Sequence, residues 1–158
     1  RRIGVIAGAV DNLHTMNRII GYQQALFDEK ILFNPDLIRY GDWTRASGYN
    51  ETGHLVNMGV TAIFSMNDVM AAGAYDYLHE KGIRIADDIS VVGYDNNEIS
   101  AYLRPALTTN QIQLKEIGEE SAKIMLEMLE NNYTPGKNPD ITEIPCQLVI
   151  RESVKRIN

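Results

Sequence analysis

Short β-branched runs alternate with longer stretches of helical spacing along the first two thirds of the chain. "IGVIAG" (3–8) is closed by glycine and predicts a strand, and "TMNRIIGYQQALFDEK" (15–30) then sets Met16, Ile19, Ile20, Leu26 and Phe27 at helical spacing. "PDLIRYGD" (35–42) predicts a second strand. "TRASGYNETGHLVNMG" (44–59) predicts a helix capped by Thr44 and stopped by Gly59, although Gly48 and Gly53 each cost about 1 kcal/mol relative to alanine. "TAIFS" (61–65) is a third strand, followed by the helix "DVMAAGAYDYLHEKG" (68–82), for which Asp68 is the expected cap and Gly82 the stop. "ISVVG" (89–93) is a fourth strand.

Strands this short and oily, separated by helices, predict an α/β fold: a doubly wound parallel sheet with right-handed crossovers and helices on both faces. The carboxyl ends of parallel strands open onto one edge, where ligands lie. The polar clusters "AVDNLHT", "GDW", "SMND" and "YDNNE" therefore belong on one rim.

Beyond residue 105 the pattern changes. "RPALTTNQIQ" (104–113) is irregular or extended, and "LKEIGEESAKIMLEMLENN" (114–132) carries Leu114, Ile117, Ser121, Ile124, Met125, Met128 and Leu129 on one helical face. "YTPGKNPD" (133–140) is a turn-rich linker, and "ITEIPCQLVIRES" (141–153) a last extended segment interrupted by Pro145.

A chain of 158 residues can bury a full core as one domain. Its formal net charge of -6 argues against gripping nucleic-acid phosphates by itself, so any DNA contact needs another segment. One cysteine, Cys146, makes no internal disulfide, and three histidines offer little raw material for a metal site. No segment is apolar over a membrane-spanning length, and "RRIGVIAG" lacks the build of a signal peptide. The expectation is a cytoplasmic protein, or one whose start lies upstream. The nucleophile elbow G-x-S-x-G, the phosphate loop G-x-x-x-x-G-K-[ST] and the dinucleotide spacing G-x-G-x-x-G are all missing, so no enzymatic activity and no cofactor are expected.

The rim supplies the candidates for ligand binding. Asp95 leaves a buried strand where its carboxylate either points into the crevice or caps the short helical turn expected over 96–103. With Asp68 assigned to the helix cap, Asn67 is left to face a ligand. Trp43, the sole tryptophan, belongs to a rim loop, where it either joins the core or stacks against a flat guest. Arg18 sits in the first turn of its helix, either solvated or offering a guanidinium fork to hydroxyls. His14, in the same loop, joins the set as a donor or acceptor. Carboxylate, amide, guanidinium and indole together suit reversible recognition of a polyhydroxylated molecule better than bond breaking.

The stretch "TAIFSMNDVMAAGAYDYLHEKGIRIADDISVVGYDNNEISAYLRPALTTNQIQLKEIG", with "GVIAGAVDNLHTMNRIIGYQQAL", "YGDWTRASGY" and "QLVIRES", resembles the lactose-repressor/galactose-repressor family of bacterial transcription regulators over essentially the whole chain. The resemblance implies a periplasmic-binding-protein-like core of two α/β lobes, with a small effector between them and an upstream helix-turn-helix headpiece that reads operator DNA. It implies that Arg18, Trp43, Asn67 and Asp95 contact the effector, the aspartate accepting hydrogen bonds from sugar hydroxyls and the aromatic packing on the ring. Residues 1–108 and 141–153 would form the C-terminal lobe. The crossover helix and linker over 109–140 would pack on an N-terminal lobe that this chain lacks, so the apolar stripe of 114–131 should be covered by a dimer contact or by the same chain folding back.

The family forms homodimers through surfaces that here would include Val69, Met70, Ala72, Gly73, Ile99, Tyr102 and Leu103. The small residues of 71–73 admit close helix approach, or else ordinary packing on the sheet. The implied protein is a sugar-sensing transcription regulator, a repressor, with a periplasmic sugar-binding protein and a small α/β enzyme as rival readings.

Overall fold

The computed structural model describes residues 1–130 and 141–156. The expected linker over 133–140 lies outside the described residues. Strand β1 (Ile3–Ala7) leads to helix α1 (Leu13–Asp28), a 3₁₀ turn (Pro35–Leu37) and β2 (Ile38–Tyr40). Then come α2 (Arg45–Asn57), β3 (Ala62–Ser65), α3 (Asp68–Glu80), β4 (Ser90–Asp95), α4 (Glu98–Tyr102), β5 (Thr108–Gln111), α5 (Leu114–Glu130) and β6 (Gln147–Val149). The described strands form one sheet in the order β2-β1-β3-β4-β5-β6, parallel up to β5, with β6 antiparallel at the edge.

This is the doubly wound α/β architecture expected from the alternation. The chain steps from β1 outward to β2, then returns past β1 to β3. Right-handed crossovers therefore place α1 on one face and α2, α3 and α4 on the other. The reversal at β1 makes the carboxyl ends of β1 and β3 the natural crevice. Val5, Ile6, Ile63, Val91 and Leu107 are fully buried, with Val5 on the face of the sheet opposite to Ile6, and Leu55, Met70, Tyr75 and Leu78 of α2 and α3 belong to the same buried core.

Helix α2 tolerates Gly48 because α3 needs the space. A Cβ on Gly48 would stand 2.1 Å from the Met70 carbonyl oxygen, and one on Gly73 would stand 1.9 Å from that of Arg45. The small residues thus let two helices of the same chain touch backbone to backbone. This corrects part of the expected dimer surface. Met70, Ala72 and Gly73 are buried against their own chain, because the close approach they permit is to α2. Val69 and Tyr102 remain exposed, and Ile99 and Leu103 half-buried.

Residues 108–111, within the stretch expected to be irregular or extended, form a strand one in from the edge of the sheet, paired with β4 on one side and β6 on the other. Helix α5 has no buried residue, and Leu114, Met125, Leu126 and Leu129 lie open. Among the described residues, Thr142 and Ile144 line a pocket with Ile117, Ser121 and Ile124, so the returning chain meets part of the stripe and leaves Leu114, Met125 and Leu129 open.

Candidate functional site

Four strand ends converge on one edge. After β1, Gly8 has no side chain, and the Trp43 indole fills that space: a Cβ there would fall 1.8 Å from its Cζ2. Trp43 itself follows β2 with φ of 72°, a left-handed conformation that a bulky side chain rarely adopts. Its carbonyl oxygen accepts a hydrogen bond from Asn67 Nδ2 at 3.1 Å, which ties the loop after β2 to the loop after β3.

Arg18, four residues after His14 on α1, reaches across the strand ends. Its Nη1 donates to the Met66 carbonyl oxygen at 2.6 Å. Its guanidinium carbon lies 3.7 Å from the centroid of the Tyr94 ring and 6.0 Å from that of Trp43. The unfavourable placement of a cation in the first helical turns is thus offset by two aromatic faces and a carbonyl. One edge of the guanidinium is committed to the protein. Its remaining N–H groups are the ones available to a guest.

Asp95 ends β4 with φ of 108°, followed by Asn96 at 55°. Consecutive left-handed residues other than glycine are costly and collect at functional sites. Burial, with the Asp68 carboxylate nearby, raises the Asp95 pKa to about 6, against a smaller opposing pull from Arg18. Asp95 is not a helix cap: Asn97 precedes α4 and makes no side-chain cap bond.

The assignment of Asn67 and Asp68 is reversed. Asn67 caps α3, its Oδ1 accepting from Met70 N at 2.8 Å. Asp68 is fully buried in the notch left by Gly93, where a Cβ would fall 2.2 Å from Asp68 Oδ1. Its carboxylate accepts from Thr109 Oγ1 and from Asn97 N, each at 2.7 Å. Burial still raises its pKa, with those bonds and the Arg151 charge pulling the other way. Asn67 therefore stays at the rim, but with its amide partly spent on the cap and on Trp43. One amide N–H remains for a guest.

Arg18, Trp43, Asn67 and Asp95 are brought together. His14 is exposed, and its backbone N–H bonds to Asn12, so it stands at the margin. Tyr94 was not singled out in the sequence, although an aromatic beside a carboxylate at a strand end was the available signal. Its hydroxyl also meets Cys146 Sγ at 3.0 Å. Among the described residues no three or more His, Cys, Asp or Glu side chains group as metal ligands, and no helix is long and apolar enough to cross a membrane.

The family model described as a periplasmic binding protein-like domain matches residues 1–154. The chain is 33% identical over 158 residues to the HTH-type transcriptional repressor PurR of Aliivibrio salmonicida (strain LFI1238), covering 99% of this chain and 46% of that protein. Among solved structures, it is similar to a transcriptional regulator CelR–cellobiose complex, with a TM-score of 0.87 and 29% identity over 97% of this chain and 46% of that one. It also matches the lac repressor dimer bound to operator and the anti-inducer ONPF, with a TM-score of 0.83 and 33% identity over 97% of this chain and 52% of that one. The chain spans about half the length of the relatives it matches.

Proposed function

The chain belongs to the periplasmic binding protein-like family of effector-binding domains in lactose-repressor/galactose-repressor regulators, and from that premise we propose that it is the C-terminal lobe of an effector-sensing core whose whole protein represses transcription in the cytoplasm. The observation that carries this reading is the Arg18 guanidinium, anchored to the Met66 carbonyl and stacked on Tyr94 beside Trp43 at the switch point of the sheet. Such an arrangement presents fixed N–H donors next to an aromatic face and a carboxylate. It supports reversible binding of a small guest.

The guest is a small sugar. Arg18 and Asp95 bring opposite charges, which suits a neutral molecule rich in hydroxyls, and the Trp43 face suits a ring. Asp95 accepts from hydroxyls, Asn67 donates its remaining N–H, and His14 offers a further polar contact at the margin. A second lobe closes over the guest, and the contacts made only in the closed arrangement shift the operator affinity of a headpiece outside this chain, with a coupling of about 1–3 kcal/mol.

The regulator works as a homodimer. Val69, Ile99, Tyr102 and Leu103 supply this lobe's share of the contact. The crossover helix α5 packs on the other lobe through its open stripe. The relatives named above are transcriptional repressors and a transcriptional regulator, which favours regulation over a transport role. Calorimetric titration of the intact protein with neutral sugars and with purine bases tests this reading. Saturable heat with a sugar, lost in Asp95→Ala, supports it; equal affinity in wild type and Asp95→Ala counts against it.

A further inference from the structure

The segment "QLVIRES" contains a half-buried arginine that the recognition site described above does not use. Arg151, just beyond β6, spreads its guanidinium over three acceptors. Nη2 donates to Asn96 Oδ1 at 2.7 Å, and Nη1 donates to the Leu107 carbonyl oxygen at 2.7 Å and to Ser100 Oγ at 3.1 Å. Its own backbone N–H donates to Thr108 Oγ1 at 2.9 Å, which fixes the base of the side chain to β5. A simple tie between β6 and β5 would need only the Leu107 and Thr108 bonds.

The Asn96 bond goes elsewhere, to the residue directly after Asp95 in the left-handed turn. That turn is also held from β5 and α4: Asp95 pairs with Gln111 in the ladder, and Ser100 Oγ approaches Asn96 Oδ1 at 3.3 Å and donates to the Asn97 carbonyl oxygen at 2.6 Å. Asn96 N approaches Thr109 Oγ1 at 3.4 Å and Asn96 Nδ2 donates to Gln111 Oε1 at 3.2 Å, while Asn97 N is held by Asp68. Among these, only the Arg151 and Asp68 bonds involve a charged group, and such bonds are the stronger kind. They grip the turn on either side of the Asn96–Asn97 peptide.

We propose that Arg151 is the positioning residue for Asp95: its guanidinium holds the 95–97 turn through Asn96, and so sets where the Asp95 carboxylate stands at the rim. The last strand, which arrives from the crossing segment, is thereby linked to an effector contact. The inference rests on the reading of Asp95 as that contact.

The test follows the Asp95 carboxyl by carbon-detected NMR titration of the intact protein, in wild type, Arg151→Lys and Asn96→Gly. Lysine keeps the charge that acts on Asp68 but has one donor nitrogen in place of the two that reach Leu107 and Asn96 from opposite ends of the guanidinium. Glycine removes the Asn96 side chain and accepts the left-handed backbone without strain. In wild type the midpoint is expected at about 6, raised by burial and by the nearby Asp68 carboxylate. In both variants it falls by about one pH unit, because a released turn lets the carboxylate reach water. Asp88, held by Arg84 on another edge, keeps its midpoint and so separates this effect from a general loosening.

An Asp95 midpoint unmoved in Asn96→Gly overturns the proposal, even if Arg151→Lys fails to fold. The titration needs no ligand. Failure of any sugar to bind would end the effector reading, whereas an unmoved midpoint ends the positioning role alone.

Discussion

The guanidinium of Arg18 sits over the ring of Tyr94, with its carbon 3.7 Å from the ring centroid. Helix α1 supplies the cation and β4 the aromatic face, so the contact bridges the two sides of the crevice. A stacked, partly desolvated pair of this kind contributes about 1–2 kcal/mol. Its consequence is directional: the stack and the Met66 carbonyl leave Arg18 few orientations, and its remaining donors point one way.

Replacing Tyr94 with leucine should therefore weaken effector binding about tenfold, the equivalent of about 1.4 kcal/mol. Tyr94→Phe keeps the ring and loses the hydroxyl's contacts to Cys146 and Arg18, so its affinity stays within about twofold. Calorimetry on the two variants separates the face from the hydroxyl.

Asp95 makes stability depend on pH in a direction opposite to the usual carboxylate. Its pKa rises from 3.8 to about 6 on folding. The folded state then holds more protons than the unfolded one within that interval, so stability is greatest below it and is lost as pH climbs through about 6. Asp95→Asn should be near neutral at about pH 3.5 and stabilising by about 1 kcal/mol at about pH 7.5, a figure reduced because the carboxyl is only half-buried. Thermal unfolding at the two pH values reads the difference. The site is thus held at some cost to the fold.

Much of the fold was legible because its signals are local. β-Branched runs closed by glycine gave the strands, and Thr44, Gly59 and Gly82 marked helix ends where the structure has them. The convergence of Arg18, Trp43, Asn67 and Asp95 followed from topology alone, since parallel strands finish at one edge. What escaped depended on distant partners. Asparagine and aspartate cap equally well, and the choice between Asn67 and Asp68 was decided by Thr109 and by the notch at Gly93, both remote in sequence. The 71–73 stretch could have met the sheet, another chain or a neighbouring helix. Only Gly48, opposite it on α2, settles which. Residues 109–111 are polar and carry no strand signal; their pairing comes from β4 and β6 on either side.

Gly73→Ala should destabilise the chain by about 3 kcal/mol or more, because the added methyl meets backbone that cannot yield. Gly21→Ala is the matched control. It lies in the interior of α1 with nothing within 4 Å of the added atom, and should stabilise by about 0.5–1 kcal/mol. Denaturant unfolding of the pair checks both signs.

Gly8→Ala should evict the indole from its seat on β1, since its Cβ would overlap the Trp43 ring. The emission of this sole tryptophan should shift to the red as the ring enters water. Effector affinity should fall with it, while far-ultraviolet circular dichroism stays unchanged.

The same tryptophan gives the most direct test of the central claim, that one guest is held at once by Arg18, Trp43, Asn67 and Asp95. Trp43 emission is followed as neutral mono- and disaccharides are added to the intact protein, in wild type, Arg18→Ala and Asp95→Ala. The account predicts a saturable change with at least one sugar, and a midpoint raised about tenfold or more by each substitution. A response to none of the sugars, or a midpoint that neither substitution moves, would contradict it.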